Sequence, residues 1–380
     1  MRIDQVLPGF NRGDAMSNEA RLLRHFFQDL GVAGDIFAEH IQPQAREEAI
    51  PVAQFFRHIP PELTIYHYGI GTPITQQLRR WPGRKLMIYH NVTPAHYFRG
   101  VNDEMARLCQ QGLLDLHAER HRYDAVWACS EFSRRELIRM GFERVRHMPI
   151  PLNWREYNRE PNRDTLKALA RLPGPHVLFV GRVSVNKRQD DIVRAFALFK
   201  TVHHPDAHLW LLGTAVGQER YLHDVEALVA RLKLQESVHL IGHVHFDELV
   251  AYYQGSHIFL SMSEHEGLGI PWLEAMHFGL PVLAYAAAAL PETIGSGGLL
   301  FRAKDFEEIA ALMARVVGDV ALREKLIREG HRRALSFAPD RVFPSMAKGL
   351  AEDLPGFSGT FAAMQDSIGS ADATILPNRG

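Results

Sequence analysis

Short apolar runs alternate along this chain with longer stretches of helical period, and that alternation confines it to βαβ units built on parallel sheets. Residues 3–7 form the first run. A loop containing Gly13 follows, then a helical stretch in which Leu22, Leu23, Phe26, Phe27 and Leu30 share one face. Ser17 is placed to cap its start and Gly31 to end it. Further strands are expected at residues 35–38, 63–67, 86–89, 125–129 and 145–150, with Ser130-Glu131 opening the helix after the fifth of the six. From 157 to 175 the pattern weakens and polar residues cluster. It restarts with strands at 177–180, 208–212, 238–241, 258–261 and 282–285. Helices are expected near 190–201, 218–232, 246–254 and 271–278, and three more at 306–317, 321–336 and 340–350. Two α/β halves joined by a linker are the simplest outcome. Open α/β sheets of this kind take their ligands at the carboxyl ends of their strands.

Composition narrows the function classes. Among 380 residues, 43 Lys and Arg face 44 Asp and Glu, so there is no cationic excess for general nucleic-acid binding. Two cysteines, Cys109 and Cys129, exclude a disulfide framework and a cysteine-rich zinc module. The longest apolar stretch, 279–291, is too short to span a bilayer, and the first residues lack the basic-then-apolar pattern of a secretion signal. A cytoplasmic protein is expected. The run Arg79-Arg80-Trp81-Pro82-Gly83-Arg84-Lys85 is suited to anionic headgroups or a lipid diphosphate, so peripheral contact with the inner membrane face stays open beside the alternative of a solvated turn. Oligomeric state is not readable. Gly69-Ile70-Gly71 lacks the third glycine of a dinucleotide fingerprint, and no Walker loop occurs. His117 and His121 are spaced to share a helix face without forming a zinc-protease motif.

Two segments carry the chemistry. In Ser263-Glu264-His265-Glu266-Gly267-Leu268-Gly269-Ile270-Pro271-Trp272-Leu273-Glu274, two glycines follow a strand and Pro271 suits the first turn of a helix. Amides at such a helix start can bind an anion, and Glu266 and Glu274 can accept paired hydrogen bonds from vicinal hydroxyls. The plainer alternative is an exposed Glu266 and a Glu274 paired with an arginine. In Val180-Gly181-Arg182-Val183-Ser184-Val185-Asn186-Lys187-Arg188-Gln189-Asp190-Asp191, Arg182 and Lys187 lie at the carboxyl end of a strand, where two cations can clamp a diphosphate. The alternative there is a solvated basic loop neutralised by Asp190 and Asp191.

Together, Gly-Arg…Asn-Lys and Glu-Gly-x-Gly-x-Pro-x-x-Glu-Ala resemble family 4 of the retaining glycosyltransferases. Supporting stretches are Tyr66-His67-Tyr68-Gly69-Ile70-Gly71, Tyr89-His90-Asn91-Val92-Thr93-Pro94, Ser130-Glu131-Phe132-Ser133 and Leu290-Pro291-Glu292-Thr293. The resemblance runs to about residue 350. It implies a GT-B fold, two Rossmann-like α/β domains facing across a cleft. These would be an acceptor domain at 1–160 and a nucleotide-sugar domain at 161–335, with a helix at 336–354 returning to the first domain and a flexible tail at 355–380.

The resemblance also implies roles. Arg182 and Lys187 would hold the donor diphosphate and Glu266 the sugar hydroxyls. The amides of Gly267, Leu268, Gly269 and Ile270 would meet sugar and phosphate, Glu274 the ribose, and the backbone at Val244 the base. His90 would lie near the reacting sugar and Gly13 near the diphosphate. The implied reaction is retaining transfer from a nucleotide-diphosphate sugar, GDP-mannose or else a UDP-sugar, to a glycan or lipid-linked acceptor in cell-surface polysaccharide synthesis. No metal or other cofactor is expected. A silent sugar-nucleotide binding protein is the alternative from another class. Three departures stand out. Gly13-Asp14-Ala15 replaces paired glycines, Leu268 replaces an aromatic, and Ala286-Ala287-Ala288-Ala289 offers no side-chain contact.

Overall fold

A computed structural model describes residues 1–355. The chain divides into two compact units. The first comprises Met1–Val92, Leu108–Asn153 and the segment from Phe337; the second comprises Thr93–Arg107 and Trp154–Ser336.

The first unit holds seven strands: β1 (Ile3–Phe10), β2 (Ile36–Ile41), β3 (Ile50–Pro51), β4 (Leu63–Tyr68), β5 (Arg84–Tyr89), β6 (Ala125–Ala128) and β7 (Arg146–His147). All pair in parallel, in the order β3-β2-β1-β4-β5-β6-β7. Central strands are buried from end to end, as a sheet covered on both faces requires. The second unit repeats the plan with six: β8 (His176–Val180), β9 (His208–Leu212), β10 (Val238–Gly242), β11 (Ile258–Ser261), β12 (Val282–Tyr285) and β13 (Gly298–Phe301), in the order β10-β9-β8-β11-β12-β13. In each sheet the order reverses beside the first strand, between β1 and β4 and between β8 and β11. Those reversals are where doubly wound sheets open a crevice at the strand ends.

One face of the first sheet is covered by two helices distant in sequence. Helix Ala15–Asp29 contributes Leu23, Phe26 and Phe27, and helix Pro339–Asp353 contributes Val342, Met346, Ala347 and Leu350. Phe26 and Phe343 stack with centroids 4.3 Å apart, joining the two helices. Arg146 grips Asp353 with Nε and Nη2, both at 2.6 Å, and the Trp127 indole donates to the same carboxylate. The last helix therefore belongs to the first unit.

Several expectations need correction. Residues 93–107, expected in the first domain, cluster with the second unit. Asn102 Nδ2 donates to the Gly217 carbonyl at 2.7 Å and Arg220 donates to the Gly100 carbonyl at 2.8 Å. The second segment of the first unit ends at Asn153, before the polar stretch, because Trp154 donates to the Ala334 carbonyl and stacks on His277. Asp14, not Ser17, caps the first helix: its carboxylate accepts from the Ser17 amide at 3.1 Å and from the Ser17 hydroxyl at 2.7 Å. His117 and His121 do not share a helix face, because the helix Asp103–Ala118 ends between them. Strands β3 and β13 were not foreseen; the first has two residues and the second begins on a glycine. Residues 356–380 of the expected tail lie outside the described residues.

Trp81 does not stand out from the basic turn. Its ring packs against Phe55 and Phe56, with centroids 4.8 and 5.3 Å away, while Arg79 pairs with Glu119. Among the described residues no helix is long and apolar enough to cross a membrane.

Candidate active site

Strand β8 delivers its chain to a tight loop that ends in a 3-10 turn, Val185–Lys187, and Arg188 then adopts a left-handed conformation before helix Gln189–Leu198. Buried Gln189 fixes the loop: its amide nitrogen donates to the Arg182 carbonyl and its oxygen accepts from the Ser184 amide. Asn186 joins this loop to the one after β11, donating to the His265 carbonyl and accepting the Glu264 amide through its own carbonyl. Lys187 is thereby set against Glu266, with Nζ at 2.6 and 2.5 Å from the two carboxylate oxygens. Arg182 is exposed on the same loop. Both cations sit at the β8–β11 reversal.

Which cation Asp190 and Asp191 neutralise is now clear. It is Arg188, together with Arg194; Lys304 bridges Asp191 to Glu264, and Tyr221 donates to Asp190. This cluster braces the loop from behind and leaves Arg182 and Lys187 out of it. His265 lies beside the pair, and burial, then the positive charges of Lys187 and His96, push its pKa down to about 4.

After Glu266 the chain turns through Gly267 and Leu268 to Gly269, which caps helix Ile270–His277 at φ +97°. A Cβ there would lie 2.9 Å from Leu290 and 3.0 Å from the Trp272 ring, so glycine is required on both counts. The Leu268 carbonyl accepts from Thr293 at 2.6 Å. The amides of Leu268, Gly269 and Ile270 donate to no acceptor among the described residues.

Glu274 is not paired with an arginine among the described residues. Its partners are tyrosines: Tyr157 donates to Oε1 at 2.8 Å and Tyr253 to Oε2 at 2.7 Å. Burial raises its pKa while the two hydroxyls pull it down. A carboxylate has about four acceptor sites, so each oxygen keeps one for a ligand. Val244 lies in the loop after β10, between exposed His243 and His245, and His245 caps helix Phe246–Gly255.

Gly13 and His90 belong to the first unit. Gly13 has φ +77° in open space ahead of helix Ala15–Asp29. His90 extends β5, its amide bonded to the Tyr68 carbonyl at 2.8 Å. Its Nε2 faces inward, 3.0 Å from His67 Nδ1 and 3.2 Å from Glu19 Oε2, so only Nδ1 is left for a substrate. Burial holds the His90 pKa down to about 3 and that of His67 far below its usual range, and pushes Glu19 up to about 8. Sequence reasoning missed Glu19, Tyr157 and Tyr253, and met Asn186 only within the Asn-Lys motif. Only Glu19 left a signal, an acid on the turn of the helix that also carries buried Ala20 and Leu23.

Two parallel Rossmann-like units with these loops at the sheet reversals define a GT-B protein. Residues 164–333 match the family described as glycosyl transferases group 1. The chain is similar to the Serotype-specific mannosyltransferase WbdA of Escherichia coli, 25% identical over 265 residues covering 66% of this chain and 31% of WbdA. It thus spans about a third of that relative's length. Among solved structures, sucrose-phosphate synthase from Thermosynechococcus elongatus superposes with TM-score 0.72 at 22% identity, over 95% of this chain and 99% of that one. Anabaena HepE in complex with UDP and glucose superposes with TM-score 0.71 at 17% identity, over 93% and 100%.

Proposed function

We propose that this chain is a retaining, family 4 hexosyltransferase that moves mannose from GDP-mannose to a glycan or lipid-linked acceptor in cell-surface polysaccharide synthesis. The observation that carries the proposal is the Lys187–Glu266 pair beside exposed Arg182, at the carboxyl ends of β8 and β11. Departure of a nucleoside diphosphate leaves negative charge, and fixed cations stabilise it as it develops. Lys187 keeps one ammonium donor beyond the two directed at Glu266, and Arg182 keeps its whole fork. Glu266 accepts from sugar hydroxyls, and the open amides of Leu268, Gly269 and Ile270 meet the sugar-phosphate. Glu274 takes the ribose hydroxyls on its remaining acceptor sites, and Val244 flanks the base.

The mannosyl donor is favoured by the name of WbdA. A UDP-sugar is the second reading, favoured by the UDP held by HepE. The reaction is placed in the cytoplasm, with the basic turn at residues 79–85 near the membrane face.

Thermal unfolding with GDP, UDP, ADP and TDP in parallel tests the donor class. A nucleotide at about 100 times its dissociation constant stabilises the chain by roughly 2.7 kcal/mol. GDP is expected to give the largest shift, and the matching nucleotide sugar to yield product of unchanged anomeric configuration by NMR. No shift with any nucleotide would remove the proposal.

A further inference from the structure

At the sheet reversal of the first unit, three side chains from three elements turn their ligand atoms to one point: Glu19 from helix Ala15–Asp29, His67 from β4, and His90 just beyond β5. The separations are 3.0 Å between His67 Nδ1 and His90 Nε2, 3.2 Å between His90 Nε2 and Glu19 Oε2, and 3.7 Å between His67 Nδ1 and Glu19 Oε2. Donors about 2.0–2.2 Å from a tetrahedral ion stand roughly 3.3–3.5 Å apart, so the three atoms form one face of such a tetrahedron.

Two further observations point to a ligand. Glu19 is fully buried, and neither of its carboxylate oxygens accepts a hydrogen bond among the described residues. A buried acid so placed is costly unless a cation or a proton compensates it. The tautomer of His67 is also set. Gln5 donates its amide N–H to the Ala20 carbonyl at 2.9 Å, so its oxygen faces His67 Nε2 at 2.9 Å and accepts that nitrogen's proton. Nδ1 is then the lone-pair nitrogen, aimed into the cluster. A metal-bound histidine characteristically has its far N–H held by an acceptor of this kind. Cys129 is not one of the converging groups.

We propose that Glu19, His67 and His90 form a binding site for one first-row divalent transition ion of the zinc class, with Gln5 orienting His67. Two imidazoles and one carboxylate suit such an ion. Bound there, it ties the helix that follows the Gly13 loop to the ends of β4 and β5. The site shares His90 with the transfer reading, through Nε2 instead of Nδ1, and none of its atoms lies in residues 164–333.

The test uses the full chain without a histidine tag, stripped by chelator and titrated with Co2+. One ion per chain is expected, with the visible bands of low-coordinate cobalt, displaced by Zn2+, and with a rise in thermal midpoint. Glu19→Gln, which removes the carboxylate ligand and keeps the side chain's shape, abolishes both the bands and the rise, as does His90→Gln. Gln5→Leu weakens Co2+ binding by about 10–100-fold, a change that a purely structural glutamine would not produce. Absence of saturable binding at one ion per chain would overturn the proposal. So would binding of equal affinity in Glu19→Gln, which would assign the ion to other histidines.

Discussion

In the second unit, the buried acid Glu266 has a cation on both oxygens, whereas in the first unit the buried acid Glu19 has two imidazoles near one oxygen and no hydrogen bond to either. Both lie at the reversal of a parallel sheet, so topology does not explain the contrast. It comes from what the neighbouring strand end supplies. The loop after β8 brings lysine and arginine, while β4 and β5 bring histidines whose pKa values burial depresses. Equivalent crevices can thus be furnished for an anion or for a cation, and substitutions at matched positions should affect different properties.

The largest effect is expected at the cationic crevice. Lys187→Met and Arg182→Ala each lower transfer by about 10²–10³-fold, the usual cost of removing one preorganised charge partner of a leaving group. Both variants should keep the circular dichroism of the folded protein, although Lys187→Met lowers the unfolding midpoint by leaving buried Glu266 without its cation. Near-normal turnover in both would detach this loop from the chemistry.

Next come the glycines that serve the two crevices. Gly269→Ala meets an unfavourable backbone angle and close contacts with Leu290 and Trp272, and should lose roughly 2–4 kcal/mol in denaturant unfolding. Gly13→Ala meets only the angle, because nothing lies within 4 Å of the added Cβ, and should lose about 1–2 kcal/mol. Equal losses would mean that backbone conformation alone, without packing, determines both positions.

The contrast between the loops also explains what could be read from the sequence. Alternating apolar runs announce parallel strands because buried central strands must be apolar throughout, and the glycine and proline at 269 and 271 announce a strand-to-helix turn. Arg182, Lys187 and Glu266 were legible for the same reason, since they sit beside those turns. Glu19 was not, because its meaning depends on His67 and His90, which lie 48 and 71 positions away along the chain. Tyr157 and Tyr253 were hidden by distance too, one in the polar stretch and one on an apolar helix. Two-residue β3 is too short to show a period, and residues 93–107 join the second unit through side-chain-to-carbonyl bonds that no periodicity records.

A smaller effect is expected in acid. The pKa of His265 is about 4 in the folded chain against about 6.5 when unfolded. Between those values the unfolded chain binds the extra proton, so stability falls as pH drops from about 6.5 to 4 and levels off below. For His265 the slope is at most about 1.4 kcal/mol per pH unit. His265→Gln should flatten the acid limb of a stability–pH profile by that one proton, leaving stability above pH 7 little changed. An unchanged slope would show that the imidazole titrates alike in the folded and unfolded chains.

The smallest effect concerns the clasp between Arg146 and Asp353, which engages both carboxylate oxygens, as Lys187 does those of Glu266, but stands about a quarter exposed on each side. Water screens such a pair, so two short bonds do not imply a large contribution. Asp353→Asn keeps an acceptor for the Trp127 indole while removing the charge, and should lose only about 0.5–1 kcal/mol. That loss should shrink as salt rises, because the Debye length falls from about 10 Å at 0.1 M to about 3 Å at 1 M. The last helix stays attached in the variant through Val342, Met346, Ala347 and Leu350, whose burial against the first sheet is independent of charge. A loss of several kcal/mol, insensitive to salt, would make the clasp a true fastening of that helix, and the apolar seam alone would no longer account for its return to the first unit.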